Sequence, residues 1–169
     1  MKQNTAITVL GVDPGLNCFG YGAIFECSGV IKALKYGQYA ISKKLSFEDK
    51  LVFIGKTFDT IIEEIKPDVV AIERIYVAKN TRIALSIGLV SGIIAYSGIV
   101  KNVKVCFITP GEIKKTITGN GQALKHQVGF MVQKMLGINE QPGEHATDAL
   151  ATAISFLSVN KFQTMVEML

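Results

Sequence analysis

Residues 6–13 (Ala-Ile-Thr-Val-Leu-Gly-Val-Asp) and 68–75, centred on Val69-Val70-Ala71-Ile72, are apolar at nearly every position before each reaches a carboxylate. A strand with one wet face alternates apolar and polar residues. A strand without that alternation belongs inside a sheet covered on both faces. Two such runs call for a layered α/β domain. They also put Asp13 and Glu73 at or near the C-terminal ends of central strands, where open α/β sheets bind their ligands.

The remaining segments fill in that architecture. Residues 20–26 and 30–41 are predicted strands, with Ser28-Gly29 as a hairpin turn. Residues 47–66 carry Leu51, Ile54, Phe58, Ile61 or Ile62, and Ile65 at helical spacing, and Pro67 stops that helix. A long apolar helix covers 81–99 and a strand covers 103–109. A short helix runs from Pro110 to Ile117, followed by a glycine-containing loop over 118–122. Two last helices span 124–136 and 143–159. Three adjacent strands followed by alternating helix and strand predict a mixed sheet flanked by helices. No repeat, linker or low-complexity segment interrupts the chain, so a single domain over residues 1–169 is expected.

Composition narrows the class. Apolar residues make up 49% of the chain and charged residues 19%, the reverse of the balance that leaves a chain disordered. Cys18, Cys27 and Cys106 are too few and too scattered for a disulfide framework, and no CxxC pair suggests zinc. No secretory signal is read at the start, so a reducing cytosol is the expected compartment. The net charge of +4 is unevenly spread: residues 101–134 hold six lysines against Glu112 alone, +5, and the rest sums to −1. A local basic surface on a near-neutral body suits a polyanion; a solvated face without a ligand explains the charge equally well. Residues 83–100 carry no charge over 18 positions, which reaches the lower limit of a membrane span. Three serines, three glycines and a mid-chain position between strands argue for a central helix with one face in a dimer interface, and for no membrane.

If the strands carrying Asp13 and Glu73 are neighbours, their carboxylates converge, and a shared proton or a cation must offset the repulsion. His145 and Asp148, three residues apart, share one face of the last helix. Singly each has an ordinary explanation: Asp before Pro-Gly makes turns, Glu ends a strand, and polar residues open helices. Together they form three oxygen ligands and one imidazole, a set suited to magnesium or manganese and to phosphoryl transfer.

The four stretches that hold these residues resemble the RuvC family of crossover junction endodeoxyribonucleases, the bacterial Holliday junction resolvases. They are Leu10-Gly-Val-Asp-Pro-Gly-Leu-Asn-Cys-Phe-Gly-Tyr-Gly22, Ala71-Ile-Glu-Arg-Ile-Tyr-Val-Ala-Lys-Asn80, Ile113-Lys-Lys-Thr-Ile-Thr-Gly-Asn-Gly121 with Ala123-Leu-Lys125, and His145-Ala-Thr-Asp-Ala-Leu-Ala151. They follow family order and spacing across essentially the whole chain. The resemblance implies a ribonuclease H-like fold with a mixed five-stranded sheet, a homodimer, and a site using two Mg²⁺ or Mn²⁺ ions. By motif position Asp13, Glu73, His145 and Asp148 are the catalytic and metal-binding residues. Histidine at 145 replaces the aspartate of many members, which bears on metal preference. An imidazole ligates only as the neutral base; the alternative role is general acid or base on the attacking water. Lys114 and Lys125 match basic positions near the DNA phosphates. Tyr76 matches an aromatic position near unpaired junction bases, although a core aromatic beside a strand is also consistent. Lys79 and Asn80 belong to the same DNA-binding block. The implied partners are four-way junction DNA, a junction-binding tetramer and a hexameric branch-migration ATPase, in the bacterial cytoplasm.

Three other readings stand beside this one. A ribonuclease H-like nuclease of RNA shares the GxDxG opening without the Ala-Lys-Asn block. A sugar-kinase or actin-like ATPase needs a second similar half. A non-catalytic junction binder would not need all four metal-site positions filled.

Overall fold

The computed structural model describes residues 6–74 and 81–166. Its elements in chain order are β1 (Ile7–Asp13), β2 (Cys18–Cys27), β3 (Val30–Ala40), α1 (Phe47–Ile65), β4 (Val69–Glu73), α2 (Thr81–Val100), β5 (Lys104–Ile108), α3 (Pro110–Thr118), α4 (Lys125–Leu136) and α5 (Glu144–Val166). The five strands form one sheet in the order β3-β2-β1-β4-β5. β1, β2 and β3 pair antiparallel, whereas β4 runs parallel to both β1 and β5. The mixed sheet of the sequence reading is therefore present, with the two apolar runs as adjacent central strands.

Local chemistry sets the boundaries. Ser28 (φ 54°) and Gly29 (φ 86°) both take positive φ, the geometry of a hairpin turn matched to strand twist. Ser46 caps α1 by accepting from the Asp49 N–H, and Lys66 closes the helix in the left-handed region just before Pro67. Thr109 and Glu112 form a capping box at the start of α3, and Gly119 ends that helix at φ 77°. The turn requirement alone accounts for Gly119. The last helix is longer than expected and reaches Val166, past the predicted end at 159. Its apolar periodicity fades there, so the sequence pattern does not mark the true end.

The sheet separates two apolar layers. Leu10, Val12, Val70 and Ile72 face α1 and α2, together with Phe19, Ile54, Phe58 and Ile94. Val9, Val69 and Ala71 face α3, α4 and α5, together with Ile113, Val128, Leu150 and Ile154. Burial on both faces is why β1 and β4 lack alternation.

The helix α2 is covered by its own chain along one face only, through Val90, Ser91, Ile94, Ala95, Ser97 and Gly98. Leu85 and Tyr96 on its other side are 69% and 67% exposed. By length and composition α2 meets the test for a membrane span, and a third of that stretch is buried. An exposed apolar stripe of this kind marks a surface that something else covers.

Candidate active site

The parallel register Val12↔Ile72 brings the ends of β1 and β4 side by side. Side chains alternate along a strand, so Asp13 and Glu73 project to the same face as Val9, Val69 and Ala71. That is the α5 face, and glycines let α5 come close to it. Gly11 pairs with Gly22 across β1 and β2, and Asp13 pairs with Gly20. A Cβ on Gly11 would collide with the Ala149 carbonyl oxygen, and one on Gly20 with the His145 carbonyl oxygen. A Cβ on Gly22 would stand 2.7 Å from the Leu150 side chain. The missing side chains allow the first turns of α5 to rest on the strand ends. His145 and Asp148 thereby arrive beside Asp13.

A cleft of about 520 Å³ is lined by Asp13, Glu73, His145, Asp148, Lys114 and Lys125, with Arg74 at its edge. Within it, His145 Nδ1 lies 2.6 Å from Asp13 Oδ2. With Asp13 ionised, Nδ1 carries the hydrogen of this contact. Lys125 Nζ donates to Asp148 Oδ2 at 3.0 Å and to Glu144 Oε1 at 2.8 Å. Among the described residues Glu73 has no ion-pair partner.

Electrostatics follow from this arrangement. Burial pushes the Glu73 carboxyl up to about 7, and the negative charges of Asp13 and Asp148 add to the rise. Burial also raises Asp13; the hydrogen bond from His145 opposes it, and the charge of Asp148 reinforces it. The Lys125 ammonium is held above its ordinary range, first by its hydrogen bond to Glu144.

Four of the residues singled out in the sequence thus share one cleft, and both lysines line it. Tyr76, Lys79 and Asn80 lie outside the described residues. Three contributors escaped the sequence reading as parts of the site. Arg74 lines the cleft and lies over the Phe107 ring at 5.9 Å; its place directly after Glu73 was the available signal. Glu144 engages Lys125 across two helices, which local pattern does not reveal. Lys50, mostly buried in α1, donates to Asn17 Oδ1 at 2.7 Å, and Ile41 N–H donates to the Asn17 carbonyl at 2.9 Å. These bonds fasten the turn that follows Asp13.

The donor set suits a hard divalent cation. Three carboxylates and an imidazole face one cleft, and Glu73 carries repulsion that a cation would relieve. Among the described residues, no three His, Cys, Asp or Glu side chains are gathered tightly enough to hold an ion as they stand. The groups are instead bonded to neighbours within the chain, His145 to Asp13 and Lys125 to Asp148.

Known proteins place this geometry. The family model described as crossover junction endodeoxyribonuclease RuvC matches residues 9–156. The chain belongs to the RuvC family. A curated RuvC of Syntrophomonas wolfei is 34% identical over 160 residues, covering 94% of this chain and 93% of its own. The RuvC of Caldicellulosiruptor saccharolyticus is 38% identical over 148 residues, covering 86% and 89%. Among solved structures, Thermus thermophilus RuvC in complex with Holliday junction substrate superposes with a TM-score of 0.87 at 24% identity, covering 94% of this chain and 97% of that one. The yeast mitochondrial Holliday junction resolvase Ydc2 gives 0.69 at 13% identity, covering 95% and 83%. These superpositions establish the RuvC, ribonuclease H-like fold. The glycines at 11, 20 and 22, which let α5 approach the sheet, fall within the matched residues.

Proposed function

We propose that this chain is a structure-selective DNA endonuclease that resolves four-way junctions by paired symmetric nicks. The observation that carries the reading is the meeting of Asp13, Glu73, His145 and Asp148 in one lysine-lined cleft of a RuvC-family chain. Asp13, Glu73, His145 and Asp148 would hold two Mg²⁺ or Mn²⁺ ions, which supply charge that activates water and stabilises the leaving oxygen.

The chain's own residues set the stage for that chemistry. Lys114 and Lys125 lower the electrostatic barrier to a phosphodiester entering a cleft of carboxylates. The hydrogen bond to Asp13 fixes the His145 ring. The Asn17 clamp keeps the residues after Asp13 from shifting. By family resemblance, Tyr76, Lys79 and Asn80 contact the junction.

Paired nicks need two equal sites. The exposed stripe of α2, with Leu85, Leu89, Tyr96 and Ile99, supports a two-fold homodimer. Sedimentation at micromolar concentration is then expected at about twice the 18.3 kDa chain mass. A homodimer acting with a junction-binding tetramer and a hexameric branch-migration ATPase belongs in the bacterial cytoplasm, where this reading puts the chain.

The test is to incubate purified protein with end-labelled four-way DNA, linear duplex and a folded RNA, with and without Mg²⁺. Symmetric nicks in the junction alone, dependent on metal, support the proposal. Cleavage of RNA in preference to DNA, or binding without nicking, overturns it.

A further inference from the structure

We propose that Lys125, steadied by Glu144, is a built-in counter-cation of the carboxylate cluster, and that a divalent ion must displace it from Asp148 in order to bind. The inference rests on the reading of Asp13, Glu73, His145 and Asp148 as metal ligands.

The geometry carries it. One ammonium is shared between Asp148 Oδ2 at 3.0 Å and Glu144 Oε1 at 2.8 Å, from α4 across to the first turns of α5. Lys125 is the first residue of α4, where the positive end of the helix dipole repels an ammonium. The two carboxylates of α5 offset that repulsion. Proximity alone does not make such a pair. Lys114 lines the same cleft and, among the described residues, makes no ion pair with these acids.

An ammonium on Asp148 Oδ2 competes with a divalent ion for the same negative charge. Magnesium needs that oxygen at about 2.0–2.1 Å, and the two cations would repel at such a range. Glu144 is the second anchor that holds the ammonium against Asp148. Its side chain is 69% exposed, touches no reacting atom, and keeps the ammonium within reach of Asp148. It is a positioning residue that acts through Lys125. A DNA phosphate that draws Lys125 away frees Asp148 for the ion, so polyanion and metal favour each other's binding.

The experiment measures Mn²⁺ binding to DNA-free protein at pH 8 and low salt, from the electron paramagnetic resonance signal of the free ion. Lys125 and Glu144 side chains are 66% and 69% exposed, so Lys125→Met and Glu144→Gln leave the core untouched. Lys125→Met is expected to tighten binding by about three- to tenfold, and Lys114→Met by less than about twofold. Glu144→Gln is expected to tighten binding by about twofold, because the ammonium loses its second anchor. Plain electrostatics predicts the opposite sign, since a negative charge near the site has been removed. Equal effects of the two lysine variants, or weaker binding in Glu144→Gln, overturn the proposal. Asp148→Asn separates this failure from that of the underlying reading. If Asp148→Asn binds Mn²⁺ as well as wild type, the ligand assignment itself falls, and the counter-cation role falls with it.

Discussion

Beneath α1 and α2 the sheet is packed with bulk: Phe19 stacks on Tyr39 at 5.2 Å and meets Phe58 at a tilt at 5.1 Å, among Ile54, Ile72 and Ile94. Beneath α5 the same sheet offers Gly11, Gly20 and Gly22 to Ala149, His145 and Leu150. Large side chains maximise buried area, the usual source of stability. Small ones let two backbones approach until polar groups from distant parts of the chain meet within hydrogen-bonding distance. The first layer holds the fold together, and the second gives up packing volume to assemble a charged cleft.

That contrast breaks most sharply with one substitution on each face. Asp148→Asn should lower junction cleavage by about a hundredfold or more while junction affinity stays within about threefold, because charge at the reacting centre is lost and the phosphate-binding lysines remain. Phe58→Ala should cost about 3–5 kcal/mol of stability through the cavity it leaves, with cleavage per folded molecule unchanged. Denaturant titrations beside cleavage rates check both.

Glycine substitutions sharpen the comparison. Gly20→Ala places a methyl group against the His145 carbonyl, so it should cost about 1–3 kcal/mol and displace the start of α5, reducing cleavage beyond the loss of folded protein. Gly88→Ala on α2 meets nothing within 4 Å and should change stability by about 1 kcal/mol or less, toward greater stability. Thermal melts of the two variants distinguish them.

The third difference lies in pH. The folded Glu73 carboxyl is raised from 4.5 to about 7, so the folded state holds a proton that the unfolded state has released across that window. Its stabilising contribution is fully present below 4.5 and is lost as pH rises through about 7. In EDTA, Glu73→Gln should therefore melt above wild type at pH 8, by about 1–3 kcal/mol, with the gap closing toward pH 5. Saturating Mg²⁺ should stabilise wild type more than the variant. Equal melting at pH 8 would show that the buried charge carries no cost. A small effect is also expected from Lys50→Met, about 1 kcal/mol of stability, as the clamp on Asn17 is released.

How much of this was legible in the sequence differs between the two faces. The bulky face could be read, since Ile54, Phe58 and Ile61 recur at helical spacing and the runs in β1 and β4 lack alternation. Their ends also gave Asp13 and Glu73, because local pattern defines where a strand stops. Strand order is a long-range property, so adjacency of β1 and β4 remained a condition until the sheet was seen. The glycines' part in admitting α5 was equally hidden, because it depends on a helix more than a hundred residues away in the chain. The family resemblance put Lys125 near phosphate without revealing its seat between Asp148 and Glu144. The all-round apolarity of α2 gave a central helix with one face in a dimer interface, but composition does not say which residues its own chain covers.

On this reading the α5 face performs phosphodiester cleavage on four-way DNA while junction binding rests on other groups. Glu73→Gln tests it most directly, with junction affinity and Mg²⁺-dependent nicking measured on the same preparation. Affinity is expected close to wild type and nicking reduced by about a hundredfold or more. Nicking at the wild-type rate would contradict it.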